Sequence, residues 1–457
     1  MTPPSLQWTR RAALLGGVSL ALPTMGNTAP SLAATAEGDR TLMAALQALV
    51  DDPQRPLTGV SVLCMQAGQT VFEAQLGRRV LVHGSRPDLP VTPDTLWRMA
   101  SVSKLVVALG IMRLVDAGKL NLDADVSMLL GFPLRHPDHP RTAITPRLLL
   151  SHRASLTDEG GYRFDADVAL QSVLLPTGKH FGTGGSWLPH APGSYFQYCN
   201  FNYGVLASVM EKASGLRFDR LMQLEVLGPL GMQGGFDPSQ FSEAELSNLA
   251  TLYRKRSADE TWNTAGPWIA QTDALDGLRP APLAVPTSYV LGNNGTLFGP
   301  QGSLRTRVQD LAVVVQMLVR QGEFNGRNFL SRTSVQSLLT EQWRLDGPQR
   351  NGDSVNGIFQ AWGLGLQHFI DRSVRIGTAG SGDRLLQRGG VQAWGHLGDA
   401  YGLNSAVVFD PERGNGVIYA IGGTGADPEK HRAAYSSFSS WEARLLDLAW
   451  SRVLSDR

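Results

Sequence analysis

Apolar residues recur along this chain with two different spacings, and each spacing predicts one kind of element. Two Val-rich runs on either side of Gly68, within residues 58–77, predict a β-hairpin. Strand-like runs return near the C-terminus, at residues 405–411 and 416–423. Helical spacing predicts helices in a further set of segments: 41–50, 101–117, 145–152, 203–215, 218–231, 307–322 and 440–453.

Strands toward both ends of the chain and helices in the middle predict an α/β protein with two domains. We expect a discontinuous α/β domain formed by residues 37–117 and 290–457, and a mainly helical domain with lid-like loops at residues 118–289. Residues 157–190 are rich in glycine and aromatic residues, which is typical of a loop that covers a binding cleft. An inert surface insertion has the same composition, so both interpretations of this segment stay open.

Residues 1–36 have the features of an export signal. Arg10 and Arg11 precede the apolar run 12–22, which is about half as long as a membrane span, and small residues follow. The pattern resembles a twin-arginine signal and predicts a mature chain that begins near Glu37, in the periplasm or outside the cell. No stable membrane span is expected. A buried or disordered leader is the alternative.

Composition and charge exclude several classes of function. The chain has 457 residues and a formal net charge of +1, so there is no electrostatic argument for a nucleic-acid partner. Cys64 and Cys199 are the only cysteines, and we expect both to be free and buried. His136, Asp138 and His139 lie close together, but in a proline-rich loop with no further metal ligand evident. We therefore expect no metal and no cofactor, and the sequence carries no signal for an oligomeric state.

Residues 100–114 form an apolar predicted helix that contains one lysine, Lys104, three positions after Ser101. The chain has six lysines against 35 arginines, so a lysine at this position suggests chemistry that arginine does not provide. Burial and the positive end of a helix both lower the pKa of an amine, which makes it usable as a base. The spacing places Lys104 on the same helical face as the Ser101 hydroxyl. Such a pair also occurs by chance, and Lys104 can instead extend its amine to solvent.

Two other short motifs carry groups suited to the same chemistry. The Tyr-Cys-Asn sequence at 198–200 is the only Tyr-x-Asn in the chain. A tyrosine hydroxyl beside a lysine can shuttle a proton, and asparagine offers both a donor and an acceptor. The His-Leu-Gly sequence at 396–398 precedes strand-like sequence, where histidine can donate to a substrate and glycine lets a substrate approach the backbone.

The motifs at 101–104, 198–200 and 396–398, in this order, resemble those of the serine β-lactamase-like hydrolases. This family includes class C β-lactamases, DD-peptidases, family VIII carboxylesterases and D-aminopeptidases. Three further segments are similar to the family: 144–156, 299–312 and 402–423. The resemblance covers roughly residues 40–455. It implies a β-lactamase/transpeptidase-like fold of class α/β (α+β), with an antiparallel sheet flanked by helices and an inserted mainly helical domain.

The family resemblance also implies a role for each residue of the first two motifs. Ser101 would be the nucleophile that becomes acylated, and Lys104 and Tyr198 would exchange its proton. Asn200 would bind the acyl side of the substrate and also contact Lys104. These assignments rest on the family's motifs and not on the spacing alone.

The third motif departs from the family in a way that concerns the substrate. His396 would stand where other members have Lys or His, Gly398 would let the substrate approach, and the backbone N–H groups of Ser101 and Asp399 would form an oxyanion hole. Leu397 replaces the hydroxyl residue of Lys-Thr-Gly or His-Thr-Gly, and His396 is mostly neutral at pH 7. Recognition of a carboxylate is thereby weakened, which favours esters or other neutral acyl compounds. Alternatively, Leu397 points into the core and other groups recognise the substrate.

The sequence therefore predicts an exported serine hydrolase that cleaves ester bonds, with amide bonds as a second option, in small-molecule or peptide acyl substrates. A DD-peptidase, a D-aminopeptidase or a class C-type β-lactamase would use the same chemistry with a different pocket. A non-catalytic penicillin- or muropeptide-binding module is an alternative from another class. The intact Ser101, Lys104 and Tyr198 disfavour that alternative.

Overall fold

The computed structural model of the chain describes residues 32–82, 87–182, 185–256, 261–275, 277–347, 350–376 and 379–454. The predicted export signal lies outside these ranges except for residues 32–36, which begin the first helix. The export signal therefore stays a prediction from the sequence.

The sheet of this protein joins both ends of the chain. The strands are β1 (Gly59–Gln66), β2 (Gln69–Val80), β3 (Leu89–Pro90), β4 (Trp97–Arg98), β5 (Leu252–Arg254), β6 (Ile269–Thr272), β7 (Arg305–Thr306), β8 (Glu323–Phe324), β9 (Arg327–Asn328), β10 (Trp343–Arg344), β11 (Ala361–Trp362), β12 (Gln367–Phe369), β13 (Val374–Ile376), β14 (Ala379–Ser381), β15 (Ala393–Ala400), β16 (Leu403–Asp410), β17 (Asn415–Ile421) and β18 (Gly423–Thr424). Nine of them form one sheet in the order β10-β11-β12-β15-β16-β17-β1-β2-β3, and its neighbouring strands pair antiparallel. The predicted antiparallel sheet and the β1–β2 hairpin are confirmed.

Helices cover this sheet and fill the middle of the chain. They are α1 (Leu32–Val50), α2 (Ser103–Asp116), α3 (Ser127–Leu130), α4 (Pro146–Leu150), α5 (Leu170–Leu174), α6 (Phe201–Ser214), α7 (Phe218–Met222), α8 (Glu243–Asn248), α9 (Val308–Val319), α10 (Arg332–Leu338) and α11 (Ser440–Leu454). No helix within the described ranges combines the length and the apolarity needed to cross a bilayer. The α/β class of the fold is confirmed, whereas the domain boundaries stay a prediction.

Both faces of the central strand β1 are buried, which explains why its apolar run is nearly continuous. Leu63 and Met65 belong to a hydrophobic core that also contains the apolar residues of α2, α6 and α9. Val62 and Cys64 belong to a second core, together with apolar residues of α1 and α11. The helix α2 lies inside the first core, with every residue from 103 to 112 buried. The two cysteines are free and buried, as expected.

Candidate active site

Ser101 lies on a tight turn directly before α2. The turn is a short 3₁₀ helix, Ala100–Val102, and Ala100 has a left-handed φ of 45°. The hydroxyl of Ser103 donates to the carbonyl of Ala100 at 2.6 Å and accepts from the backbone N–H of Leu304 at 3.1 Å. The turn is thus anchored from two sides and presents the partly exposed Ser101 side chain to a cavity.

Lys104 is fully buried beside that serine. Its Nζ lies 3.0 Å from Ser101 Oγ, 2.8 Å from Asn200 Oδ1 and 2.9 Å from the carbonyl oxygen of Gln301. Burial lowers the pKa of Lys104 to about 7. A neutral amine has two hydrogens and one lone pair, so the two carbonyl oxygens accept the hydrogens and the lone pair faces Ser101. This arrangement suits a base that takes the serine proton.

Tyr198 approaches the same serine from another side. Tyr198 and Ser101 line the same cavity, their interaction lowers the pKa of Tyr198 against the larger raising by burial, and the Tyr198 ring centre lies 4.9 Å from Lys104 Nζ. The ring stacks on Phe359, with centroids 4.9 Å apart. Burial raises the pKa of Tyr198, so its resting form is the neutral phenol and not a phenolate. We therefore interpret Tyr198 as a proton donor and leave the role of base to Lys104.

The strand β15 brings the third motif to this site. The neighbouring strand β12 pairs with Ala393–Gly395 of β15, and the pairing of these two strands ends at Gly395. The cavity lies along the following residues, His396 to Asp399. A Cβ on Gly398 would lie 2.6 Å from the carbonyl oxygen of Met99. Glycine is therefore needed here so that the strand can pack against the turn that carries Ser101, a different reason from the expected approach of a substrate.

His396 is present in the site but carries no charge at neutral pH. It is 2% exposed, and its Nδ1 lies 2.6 Å from the carbonyl oxygen of Leu397. Burial and the nearby Lys104 lower the pKa of His396 to about 3. Its Nε2 is buried without a hydrogen-bond partner among the described residues. A neutral His396 offers hydrogen-bonding capacity to a substrate but no cation.

The structure also shows contributors to the site that the sequence analysis missed. Asp158 accepts hydrogen bonds from the backbone N–H and the side-chain amide of Asn200, and Gln301 contributes only its backbone carbonyl. An aspartate in a Gly-rich loop carries no distinctive signal, and a backbone carbonyl carries none at all. Gln301 does lie in the segment 299–312 that resembles the family.

The cavity over Ser101 has a volume of about 320 Å³. Apart from the motif residues, its walls come mainly from the segments 355–359 and 428–442, not from the predicted lid at 157–190. Its acidic lining residues are Asp399, Glu429 and Glu442. Its one arginine is Arg432, which is paired with Glu429. The described lining therefore offers no unpaired cation to a substrate.

Both the sequence and the fold of this chain are similar to those of known proteins. The sequence profile of the family described as Beta-lactamase matches residues 40–439. The chain is 31% identical over 227 residues to Esterase EstB of Burkholderia gladioli, which covers 44% of this chain and 54% of that protein. It is 28% identical over 177 residues to the D-alanyl-D-alanine-carboxypeptidase/endopeptidase AmpH of Escherichia coli K12, which covers 38% of this chain and 44% of that protein. The chain thus spans about half the length of these curated relatives.

The fold is similar to that of solved structures over most of its length. The structure titled EstCE1, a hydrolase with promiscuous acyltransferase activity, superposes with a TM-score of 0.61 at 19% identity. The match covers 92% of this chain and all of that one. At this level of identity the likeness concerns the fold.

Proposed function

Because this chain belongs to the beta-lactamase family, whose members are serine hydrolases, we propose that it hydrolyses esters through an acyl-enzyme on Ser101. The observation that carries the proposal is the contact between Ser101 Oγ and the fully buried Lys104 amine, at 3.0 Å. An unassisted serine hydroxyl is a weak nucleophile, and a neutral amine at hydrogen-bond distance corrects that. The names of EstB and EstCE1 support ester or acyl-transfer chemistry, and the name of AmpH supports a DD-peptidase as the alternative.

In the proposed acylation step, Ser101 Oγ bonds to the carbonyl carbon of the substrate while its proton moves to Lys104 Nζ. The carbonyl oxygen becomes negative and is stabilised by the backbone N–H groups of Ser101 and Asp399. The C–O bond to the leaving group then breaks, and the leaving alkoxide takes a proton from the Tyr198 hydroxyl, which Lys104 replenishes. The strand β15 packs closely on the turn that carries Ser101. This packing supports the proposal that the two N–H groups bind the same oxygen atom.

In the deacylation step, a water molecule attacks the ester carbonyl of the acyl-enzyme. Its proton passes to Lys104, the bond to Ser101 Oγ breaks, and the serine recovers a proton. Asn200 and His396 line the cavity and are proposed to bind the acyl group of the substrate. The amide of Asn200 is already bonded to Lys104, so its binding role and its contact with the base are combined in one side chain.

The charge of the cavity favours substrates without a carboxylate. Asp399 faces the site, and burial raises the pKa of its carboxyl although part of the side chain is exposed. His396 is neutral, and Arg432 is engaged with Glu429. A substrate carboxylate would therefore find no free cation among the described lining residues. This supports neutral esters over the carboxylate-bearing β-lactams and D-alanyl-D-alanine peptides.

A matched pair of esters tests this preference. Methyl 4-butyryloxybenzoate and 4-butyryloxybenzoate differ by one carboxylate, and both release a phenol that absorbs in the ultraviolet. After correction for alkaline hydrolysis rates, we expect kcat/KM to be at least about 10-fold higher for the neutral ester. The Asp399→Asn variant should reduce that difference. p-Nitrophenyl butyrate, nitrocefin and a D-Ala-D-Ala peptide complete the panel, and turnover of only the last two would contradict the proposal.

The pKa of Lys104 predicts the pH dependence of the reaction. Only the neutral amine accepts a proton, so activity requires a pH above the value of about 7. About half of the amine is neutral at pH 7 and about 1% at pH 5, so we expect kcat/KM to fall about 50-fold between these pH values and to approach a tenfold loss per pH unit at the acidic end. The measurement is kcat/KM for p-nitrophenyl butyrate from pH 5 to pH 9, with circular dichroism to confirm the fold at each pH. A flat profile would argue against Lys104 as the base.

Export is proposed on the sequence alone. Arg10 and Arg11 before the apolar run 12–22 support a periplasmic or secreted protein.

A further inference from the structure

Asp158 stands outside the three motifs, yet its carboxylate accepts four hydrogen bonds close to Lys104. The donors are Asn200 Nδ2 at 2.8 Å, the backbone N–H of Asn200 at 2.9 Å, the backbone N–H of Phe201 at 2.9 Å and the Sγ of Cys199 at 3.3 Å. An ionised carboxylate has only acceptors, so each group that faces it must donate. Asp158 therefore determines which end of the Asn200 amide points toward it.

The orientation of that amide decides what the Lys104 amine can do. With Nδ2 committed to Asp158, Asn200 Oδ1 points the other way and accepts one hydrogen of Lys104, at 2.8 Å. The carbonyl of Gln301 accepts the second hydrogen, at 2.9 Å. The lone pair of the neutral amine is left for Ser101. A rotated amide would aim Nδ2 at Nζ and occupy the lone pair that the serine proton needs.

We propose that Asp158 is a positioning residue that holds the Asn200 amide in one orientation and thereby directs the lone pair of Lys104 at the Ser101 hydroxyl. The inference rests on the function proposed above, because the direction of the Lys104 lone pair matters for catalysis only if Lys104 accepts the serine proton. It adds a residue from the 157–190 segment to the machinery, although that segment does not wall the cavity.

Among the described residues, Asp158 is also the charged group that affects the pKa of Lys104. Burial disfavours the charged forms of the other titratable groups around the amine, which are His152, His396, Tyr198, Cys199 and Tyr203. The negative charge of Asp158 raises the pKa of Lys104 against the larger lowering by burial. Removing that charge should therefore lower the pKa of Lys104 further.

The Asp158→Asn variant tests both effects, because it keeps the shape of the side chain but can donate as well as accept. The measured quantity is the rate at which a fluorophosphonate probe phosphonylates Ser101 with loss of fluoride, followed by intact mass from pH 5 to pH 9. We expect the plateau rate to fall at least about tenfold, since the base is misdirected in part of the population. We also expect the midpoint of the acidic limb to move to lower pH. Asp158→Glu retains an acceptor-only group and should restore the wild-type midpoint.

Two further variants keep the test decisive. Asp167→Asn removes an exposed carboxylate from the same segment and should behave as the wild type. Should Asp158→Asn fail to fold, Asp158→Ser still offers an acceptor to the N-terminus of α6 and carries the same expectations. A folded Asp158→Asn variant with an unmoved limb and a plateau within about twofold of wild type would show that Asp158 only caps α6, and would overturn the proposal. Absence of any adduct on the wild type would instead refute the proposed hydrolase.

Discussion

The Ser101→Ala variant should lose at least about 10⁴-fold in kcat/KM for p-nitrophenyl butyrate, because no acyl-enzyme can form without the hydroxyl. Groups that only polarise the substrate would support the small remaining rate. The same variant should gain no adduct from a fluorophosphonate probe. In the wild type, trypsin releases residues 99–104 as one peptide, and the adduct should lie on Ser101 within it.

Ser103 is the matched control, since it lies in the same tryptic peptide. Its hydroxyl is engaged with the backbone of Ala100 and Leu304 and does not face the cavity. The Ser103→Ala variant should be less stable by about 1–3 kcal/mol, because the buried N–H of Leu304 loses its acceptor, but it should still be labelled. An adduct on Ser103, or undiminished hydrolysis by Ser101→Ala, would remove Ser101 as the nucleophile.

Replacement of Lys104 by methionine should have the second largest effect. Methionine fills a similar volume but accepts no proton, so we expect kcat/KM and the rate of probe labelling to fall by about 10³-fold. Lys104→Arg should be no better, because a guanidinium keeps its proton at any accessible pH. Equal losses in Lys104→Met and Lys104→Arg would indicate that Lys104 transfers a proton, because a residue needed only for its positive charge could be replaced by arginine.

The Lys104→Met change also affects stability, which has to be measured alongside. It leaves Asn200 Oδ1 and the carbonyl of Gln301 without their donor, so thermal unfolding should occur at a lower temperature. Lys119→Met, on an exposed position just after α2, should retain both activity and stability. Substantial activity in Lys104→Met, or in a folded Lys104→Arg, would contradict the assignment of the base.

Local apolar patterns correctly located many of the regular elements. The β1–β2 hairpin, α2, α9 and α11 all lie within three residues of their predicted bounds at both ends. The segment 218–231 is less regular than its single predicted helix, because α7 ends at Met222 and a π-helical turn continues to Leu227. Hydrogen bonds in a π-helical turn span five residues instead of four, and over one turn this difference leaves almost no trace in the apolar spacing.

Only part of the candidate site could be predicted from the sequence. The resemblance to a family selected Ser101, Lys104, Tyr198 and Asn200, and the fold brings these four residues together. Their separation in the chain, close to 100 residues between the first two motifs, gives no physical reason for contact without a known fold. The three acidic side chains of the cavity, and Asp158, carry no pattern that distinguishes them from ordinary loop and surface residues.

The amino-acid sequence by itself determined the principal helices and strands and the types of reacting group, because periodicity and residue chemistry act over short stretches of chain. Only the tertiary structure decided the burial of Lys104, the direction of its lone pair, the lowered pKa of His396 and the acidic lining of the cavity. Those properties depend on desolvation and on hydrogen bonds between segments distant in sequence, which exist only once the chain has folded.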